Sequence, residues 1–166
     1  MLEPALKYES QLQQLFLDRW YDPKYMYYNN YSWRDQFKVA TNNWEYMEFV
    51  STLNGEVIGY FNAKIDRDSL VVTNIGAVNF YDMNFVFAKD FAKFLRNLFD
   101  VFKFRKIRFT VNVGNPIEPT YDKLAIRYGG RIVGIWKAED KLMDGTYSDR
   151  KLYEIMREDY LAAKNR

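Results

Sequence analysis

The stretch VNFYDMNFVFAKDFAKFLRNLF, residues 78–99, decides how the chain is read. It runs from the end of a β-strand through a short polar turn into a helix. Phe87, Phe91, Phe94, Leu95 and Leu98 recur at helical spacing and Phe102 continues the stripe, while Lys89, Lys93, Arg96 and Asp100 lie opposite. The start of such a helix presents backbone amides without intrahelical acceptors, together with the positive end of the helix dipole. It can hold an anion whatever its side chains. Phosphate cradles at such junctions use glycine where backbone must approach the ligand. Here no glycine lies between Val78 and Phe99.

Working outward, YMEFVSTL (46–53) and EVIGYFNAKID (56–66) flank Asn54-Gly55, a strong hairpin signal. LVVTNIGAVNF (70–80) reads as a third strand. KIRFTVNV (106–113) alternates, with Ile107, Phe109, Val111 and Val113 on one side. Upstream, residues 5–19 place Leu12, Leu15 and Phe16 on one helical face. WYDPKYMYYNNYSW (20–33) reads as a loop, with or without a short helix, and a second helical piece is expected from the mid-thirties to Asn42. Downstream, GNPIEPT leads into a helix through YDKLAIRY that closes at Gly129-Gly130. RIVGIWKAEDKL and SDRKLYEIMRED form a final hairpin around Asp144-Gly145. A strand–helix–strand crossover inside an otherwise antiparallel sheet makes this a mixed α/β (α+β) fold.

At 166 residues the chain reads as one domain, 1–166. Lys plus Arg exceed Asp plus Glu by 24 − 22 = 2, too little to draw in nucleic acid or anionic lipid. In FKFRKIRF (102–109) the charges fall at the strand entrance, where a solvated end explains them. No cysteine and no histidine are present. That excludes disulfides, a thiolate nucleophile, a histidine base and most zinc sites, so no metal is expected. No apolar run approaches the roughly 20 residues of a membrane helix, and no signal-peptide pattern opens the chain. No membrane partner and a cytoplasmic location are the expectations.

The hairpin FVSTLNGEVIGYF, the junction at 78–88, the strand leading to Asn115 and the close YGGRIVGIW…LMDGTYSDRKLYEI resemble, in that order, the GNAT acetyltransferase superfamily, including members from bacteria and their phages. The resemblance covers roughly residues 5–160. It implies a central mixed, mostly antiparallel sheet of six to seven strands with about four helices. It also implies acetyl transfer from acetyl-CoA to an amine in a direct ternary complex. The family's pyrophosphate motif, R/Q-x-x-G-x-G/A, falls on Met83, Asn84, Phe85, Val86, Phe87 and Ala88, and Ala88 alone agrees. A retained site therefore rests on backbone amides, with Lys89 nearby; Phe85, Val86 and Phe87 read equally as helix core. The resemblance also sets the cofactor along Ala77, Val78 and Phe80, with an N–H near Ala77 or Val78 polarising the thioester carbonyl, and at Asn115.

For proton transfer the resemblance implies a tyrosine as general acid. Tyr121, six positions after Asn115, is the first candidate and Tyr128 the second. Tyr121 reads otherwise as an amphipathic-helix residue with its hydroxyl in water, and Tyr128, next to the Gly-Gly cap, as a packing residue. Glu118 and Asp122 are candidate bases, though carboxylates at a helix start also serve as dipole partners. Asn74, Asn79 and Asn112 could orient water or substrate. The acceptor amine is expected to enter over Trp20, Tyr21, Tyr25, Tyr27, Tyr28, Tyr31 and Trp33, rings that serve equally to anchor the loop. The terminal hairpin is a candidate homodimer contact. The alternative is a GNAT-fold module that has lost catalysis and serves as a binding or interaction protein.

Overall fold

The computed structural model describes residues 1–19, 22–27, 37–82 and 84–165. Seven strands form one sheet: β1 (Leu2–Pro4), β2 (Tyr46–Leu53), β3 (Glu56–Asp66), β4 (Val71–Asn79), β5 (Lys106–Asn112), β6 (Arg131–Lys141) and β7 (Tyr147–Met156). Their spatial order is β1-β2-β3-β4-β5-β7-β6. The Asn54-Gly55 turn joins β2 to β3 with φ of 52° and 87°, both in the left-handed region that a tight hairpin requires. Every neighbouring pair is antiparallel except β4 and β5, which run parallel and touch only through Val71↔Lys106 and Val72↔Ile107. Beyond those two pairs the strands splay.

Alternation along the strands feeds two cores. Phe61, Phe94, Leu98, Phe109 and Tyr153 pack on one face beneath α2 (Phe85–Asp100), α3 (Glu118–Arg127) and α4 (Arg157–Lys164). Val50, Tyr60, Val78 and Phe80 pack on the other, under α1 (Glu9–Asp18) and its Leu12 and Leu15. The aromatic stripe of α2 stacks on Phe61: ring centroids of Phe87, Phe91 and Phe94 lie 5.0, 5.5 and 5.6 Å away. Asp90, buried on the same helix, accepts a hydrogen bond from Ser51 Oγ at 2.7 Å, which ties α2 to β2.

Three elements differ from the sequence reading. β1 is only three residues long, too short to show a period, yet it pairs along Ser51 to Phe49 of β2. Residues 37–42 form no helix, because carboxylates from elsewhere take their amides. Val39 N–H donates to Glu9 at 2.8 Å and Ala40 N–H to Glu48 at 2.6 Å. The earlier part of that expected helix lies outside the described residues. Finally, β7 stops at Met156 and α4 follows, opened by Glu158 and Asp159 in a first turn where the dipole favours acids. Among the described residues no helix is long and apolar enough to cross a membrane.

Gly59 on β3 is where α2 meets the sheet most closely. A β-carbon there would lie 2.2 Å from the Phe87 ring and 3.1 Å from the Val78 carbonyl. Gly59→Ala is therefore expected to lower unfolding stability by about 1–3 kcal/mol, the usual cost of overpacking. Pairing it with Phe87→Leu should restore part of that loss, as a double-mutant cycle in urea would read. Strict additivity would show that the ring simply turns aside.

Candidate active site

The splay between β4 and β5 leaves an opening whose lips end at Asn79 and Asn112. One segment, residues 22–27, is tied to both. The Tyr25 hydroxyl donates to the Asn79 carbonyl at 3.0 Å, and Asn112 Nδ2 donates to the Tyr27 carbonyl at 3.2 Å. Arg19 Nε adds a bond to the Phe80 carbonyl at 3.1 Å, and Lys24 pairs with Asp82 at 2.7 Å. Of the expected acceptor loop, Tyr25 and Tyr27 are thus at the mouth. Trp20, Tyr21, Tyr28, Tyr31 and Trp33 lie outside the described residues.

On the β4 side, Ala77 points toward the α2 core, whereas Val78 and Phe80 are buried in the α1 layer. Val78 could offer a ligand its backbone only, and the Phe80 backbone is already held by the Ile58 carbonyl and Arg19. At the start of α2, Asn84 is the N-cap: its Oδ1 accepts from the amides of Val86 at 2.8 Å and Phe87 at 3.4 Å. Ala88 N–H returns to the Asn84 carbonyl at 3.2 Å. Three amides of the motif, those of Val86, Phe87 and Ala88, are therefore already satisfied by the chain; that of Phe85 has no acceptor among the described residues. The reading of Phe85 as core is corrected, since it is 84% exposed; Phe87 is packed and Ala88 and Lys89 are exposed. Met83 lies outside the described residues.

On the β5 side, Asn115 shapes the turn into α3. Its Oδ1 accepts from Ile117 N–H at 3.1 Å and its carbonyl from Glu118 N–H at 2.8 Å. Tyr121 is packed between α2 and β5. It is 5% exposed, stacked on Phe91 at 6.1 Å and edge-on to Phe109 at 5.3 Å. Burial alone pushes its phenol upward. Four residues before buried Ala125, it lies on the inward stripe of α3. Tyr128 caps the far end of the same helix, its ring 5.5 Å from Tyr160.

Glu118 and Asp122 meet in a network that the sequence did not signal. Glu118 accepts from Gly114 N–H at 2.8 Å and ion-pairs with Lys151. Lys151 Nζ also reaches both Asp122 oxygens at 3.2 Å, and the Tyr153 hydroxyl donates to Asp122 at 2.7 Å. The Tyr153 hydrogen bond and Lys151 hold the Asp122 carboxyl below its ordinary value. Glu118 raises the Lys151 ammonium; burial, then Asp122, raises the Tyr153 phenol. The period of β7 sets Lys151 and Tyr153 on one face, but nothing in it says that α3 would deliver two carboxylates there.

No protein-family model matches the chain, and no curated protein sequence does. Solved structures match closely in shape. The spermidine N-acetyltransferase of Vibrio cholerae, in complex with CoA and spermine, aligns at TM-score 0.72 and 17% identity, over 97% of this chain and 97% of its own. A GCN5-related N-acetyltransferase from Brucella melitensis aligns at 0.70 and 18% identity, over 99% of this chain and 78% of its own. At such identities the likeness is one of fold. The chain has the GNAT fold.

The depressed Asp122 carboxyl carries a pH signature. A carboxylate whose folded value lies below its unfolded one adds stability above the ordinary aspartate range near 4, and that stability is lost as pH falls through the lower, folded value. Asp122→Asn should thus be less stable than the parent chain at pH 7. The gap should narrow below about pH 4 in paired urea titrations; a constant gap would mean that packing, not charge, is what the substitution removes.

Proposed function

We propose that this chain, built on the GNAT fold, is an N-acyltransferase carrying an acetyl group from acetyl-CoA to a primary amine by direct attack in a ternary complex. One observation carries the reading: the parallel β4–β5 pair opens after two residues, at the strand that leads into the start of α2. The unpaired strand edges offer backbone donors and acceptors along which the amide-bearing arm of CoA can lie. In the reaction the amine nitrogen attacks the thioester carbonyl, a C–N bond forms, the C–S bond breaks, and the thiolate takes a proton. Holding the two reactants in line and polarising the carbonyl are the chain's contributions.

The pyrophosphate would sit at the start of α2, on the Phe85 amide and on those of Val86 and Phe87 once the Asn84 side chain turns away. Ala88 keeps that surface small. The acceptor class to screen first is polyamines, because one structural neighbour is a spermidine enzyme. A second reading, a binding module without catalysis, draws on the Asn84 cap and the burial of Tyr121.

For assembly, a second copy would add along β6. Residues 131–139 are all exposed, among them Ile132, Val133, Ile135 and Trp136, on a strand paired on one side only. In antiparallel register about Ile135, Trp136 of each copy faces Gly134 of the other, above which space is open. Such an edge is a pairing template. Sedimentation should give a dimer that Ile135→Lys converts to monomer; a parent chain monomeric at every concentration would remove this contact.

Calorimetric titration with acetyl-CoA tests the enzyme reading. Micromolar binding is expected, weakened tenfold or more by Ala88→Glu, whose charge repels the pyrophosphate. Asn84→Ala should cost about 1 kcal/mol of stability through the lost cap while leaving affinity equal or higher. No binding at millimolar ligand would leave the module reading standing.

A further inference from the structure

We infer that Arg108 anchors an anionic group of the acceptor, so that the amine this site takes carries a carboxylate several bonds from its nitrogen. This rests on the acyltransferase reading and narrows its acceptor class. The basic run FKFRKIRF (102–109) supplies the charge, and the structure divides it. Arg105 Nε donates to the Ser69 carbonyl at 2.7 Å, and Lys106 ion-pairs with Glu154 at the strand entrance. Arg108 lies further in, the first residue of β5 past the two pairs that join it to β4.

Alternation fixes its face. Ile107 and Phe109 are buried in the core beneath α2, so Arg108 lies on the opposite face with Thr110 and Asn112. It stands across from Glu154 in the β5–β7 register. Yet both oxygens of that carboxylate are engaged elsewhere, Oε1 with Arg131 at 2.6 Å and Oε2 with Lys106. Three cations thus face one carboxylate. Arg108 is exposed, and its guanidinium has no hydrogen bond or ion pair among the described residues. Lys64, on the same face and paired in register with Asn74 of β4, is exposed and equally unpaired among them. Glu48, on the same face of β2, is held by Ala40 N–H and the Tyr60 hydroxyl.

The place of this charge decides what it recognises. One face of the sheet carries the core of Phe91, Phe109 and Tyr121. The other carries Tyr25 in the α1 layer and, at the mouth, the bond from Asn112 to the Tyr27 carbonyl. On that second face Arg108, Thr110 and Asn112 form one row, which runs from the joint to the lip of the opening. Arg108 stands roughly 13 Å from the lip, four residues at about 3.3 Å each. An amine at the mouth can therefore meet Arg108 only through an anion carried some way along its own chain. The planar guanidinium fork matches a carboxylate with two parallel hydrogen bonds. A polyamine would bring like charge to the same row.

The test compares acceptors of one carbon count that differ in the far group: ε-aminocaproate, n-hexylamine and hexamethylenediamine, with spermine beside them. Turnover of acetyl-CoA is followed through the freed CoA thiol with a disulfide reagent. The chain has no cysteine to add background. The parent chain should favour ε-aminocaproate over n-hexylamine by about tenfold or more in kcat/KM, the worth of one charge-assisted pair. Arg108→Glu should reverse the order, so that hexamethylenediamine is taken in preference to ε-aminocaproate, a reversal that misfolding would not produce. Equal turnover of the three, a parent preference for hexamethylenediamine or spermine, or a carboxylate preference that survives Arg108→Glu overturns the inference alone. So does a loss of acetyl-CoA affinity in Arg108→Glu by calorimetry, which would assign the charge to the cofactor. Acetyl-CoA binding without turnover of any amine, or no binding at all, overturns the acyltransferase reading and this inference with it.

Discussion

Two backbone pairs, Val71 with Lys106 and Val72 with Ile107, join the two halves of the sheet, and the rest of the molecule is arranged around how little they hold. β4 is paired along its whole length with β3, and β5 with β7, so each half is fixed on its outer side. Past the joint, the facing edges must find other partners, because buried backbone groups without them are costly. The chain supplies a few at the far end, where Tyr25 takes the Asn79 carbonyl and Asn112 grips Tyr27. Between joint and mouth the edges remain for a ligand that carries amides of its own.

The same economy governs the start of α2. Asn84 gives the first turn an internal acceptor, worth about 1 kcal/mol. A micromolar ligand contributes about 8 kcal/mol, and phosphate bonds to amides are charge-assisted and stronger than the neutral cap they replace. Displacing Asn84 therefore costs roughly a factor of five in affinity rather than the site itself, since about 1.4 kcal/mol is tenfold. A capped helix start and an anion site are compatible on these magnitudes. The burial of Tyr121 is a different matter. Freeing it would strip Phe91 of a stacked neighbour and Phe109 of an edge-on one, at the cost of aromatic contacts of about 0.5–1.5 kcal/mol each as well as buried area.

Period and turn chemistry made most of the fold legible. Asn54-Gly55, the Phe87–Leu98 stripe and the alternation from Ile107 to Val111 each mark an element without reference to the others. What stayed hidden was set by tertiary competition. The amides of Val39 and Ala40 are taken by Glu9, on α1, and Glu48, on β2, and no helical period announces that. β1 exists because β2 offers an edge. In the site, Tyr121 was legible as a helix residue but its facing was not. Pro119 and Ile117 set where α3 begins, and that phase decides whether position 121 looks in or out. The cap function of Asn84 was readable in principle from an asparagine ahead of an apolar helix. The resemblance drew attention to the missing glycines instead.

The charges around α3 bear on how the acceptor must arrive. Lys151 holds Glu118 and Asp122 together, with Tyr153 donating to the latter, and the network clamps α3 to β7 beside the opening. A carboxylate held below its ordinary range by such partners is a poor base. With no histidine in the chain, the proposed reaction would leave deprotonation of the amine to water. An amine that reaches the thioester as its minor neutral form needs no base on the protein, only a site that tolerates the loss of charge. The half-buried Tyr27 ring at the mouth would suit that requirement, since a ring stabilises a cation at its face on the way in. On the proposed reaction the chain would dispense with a dedicated base.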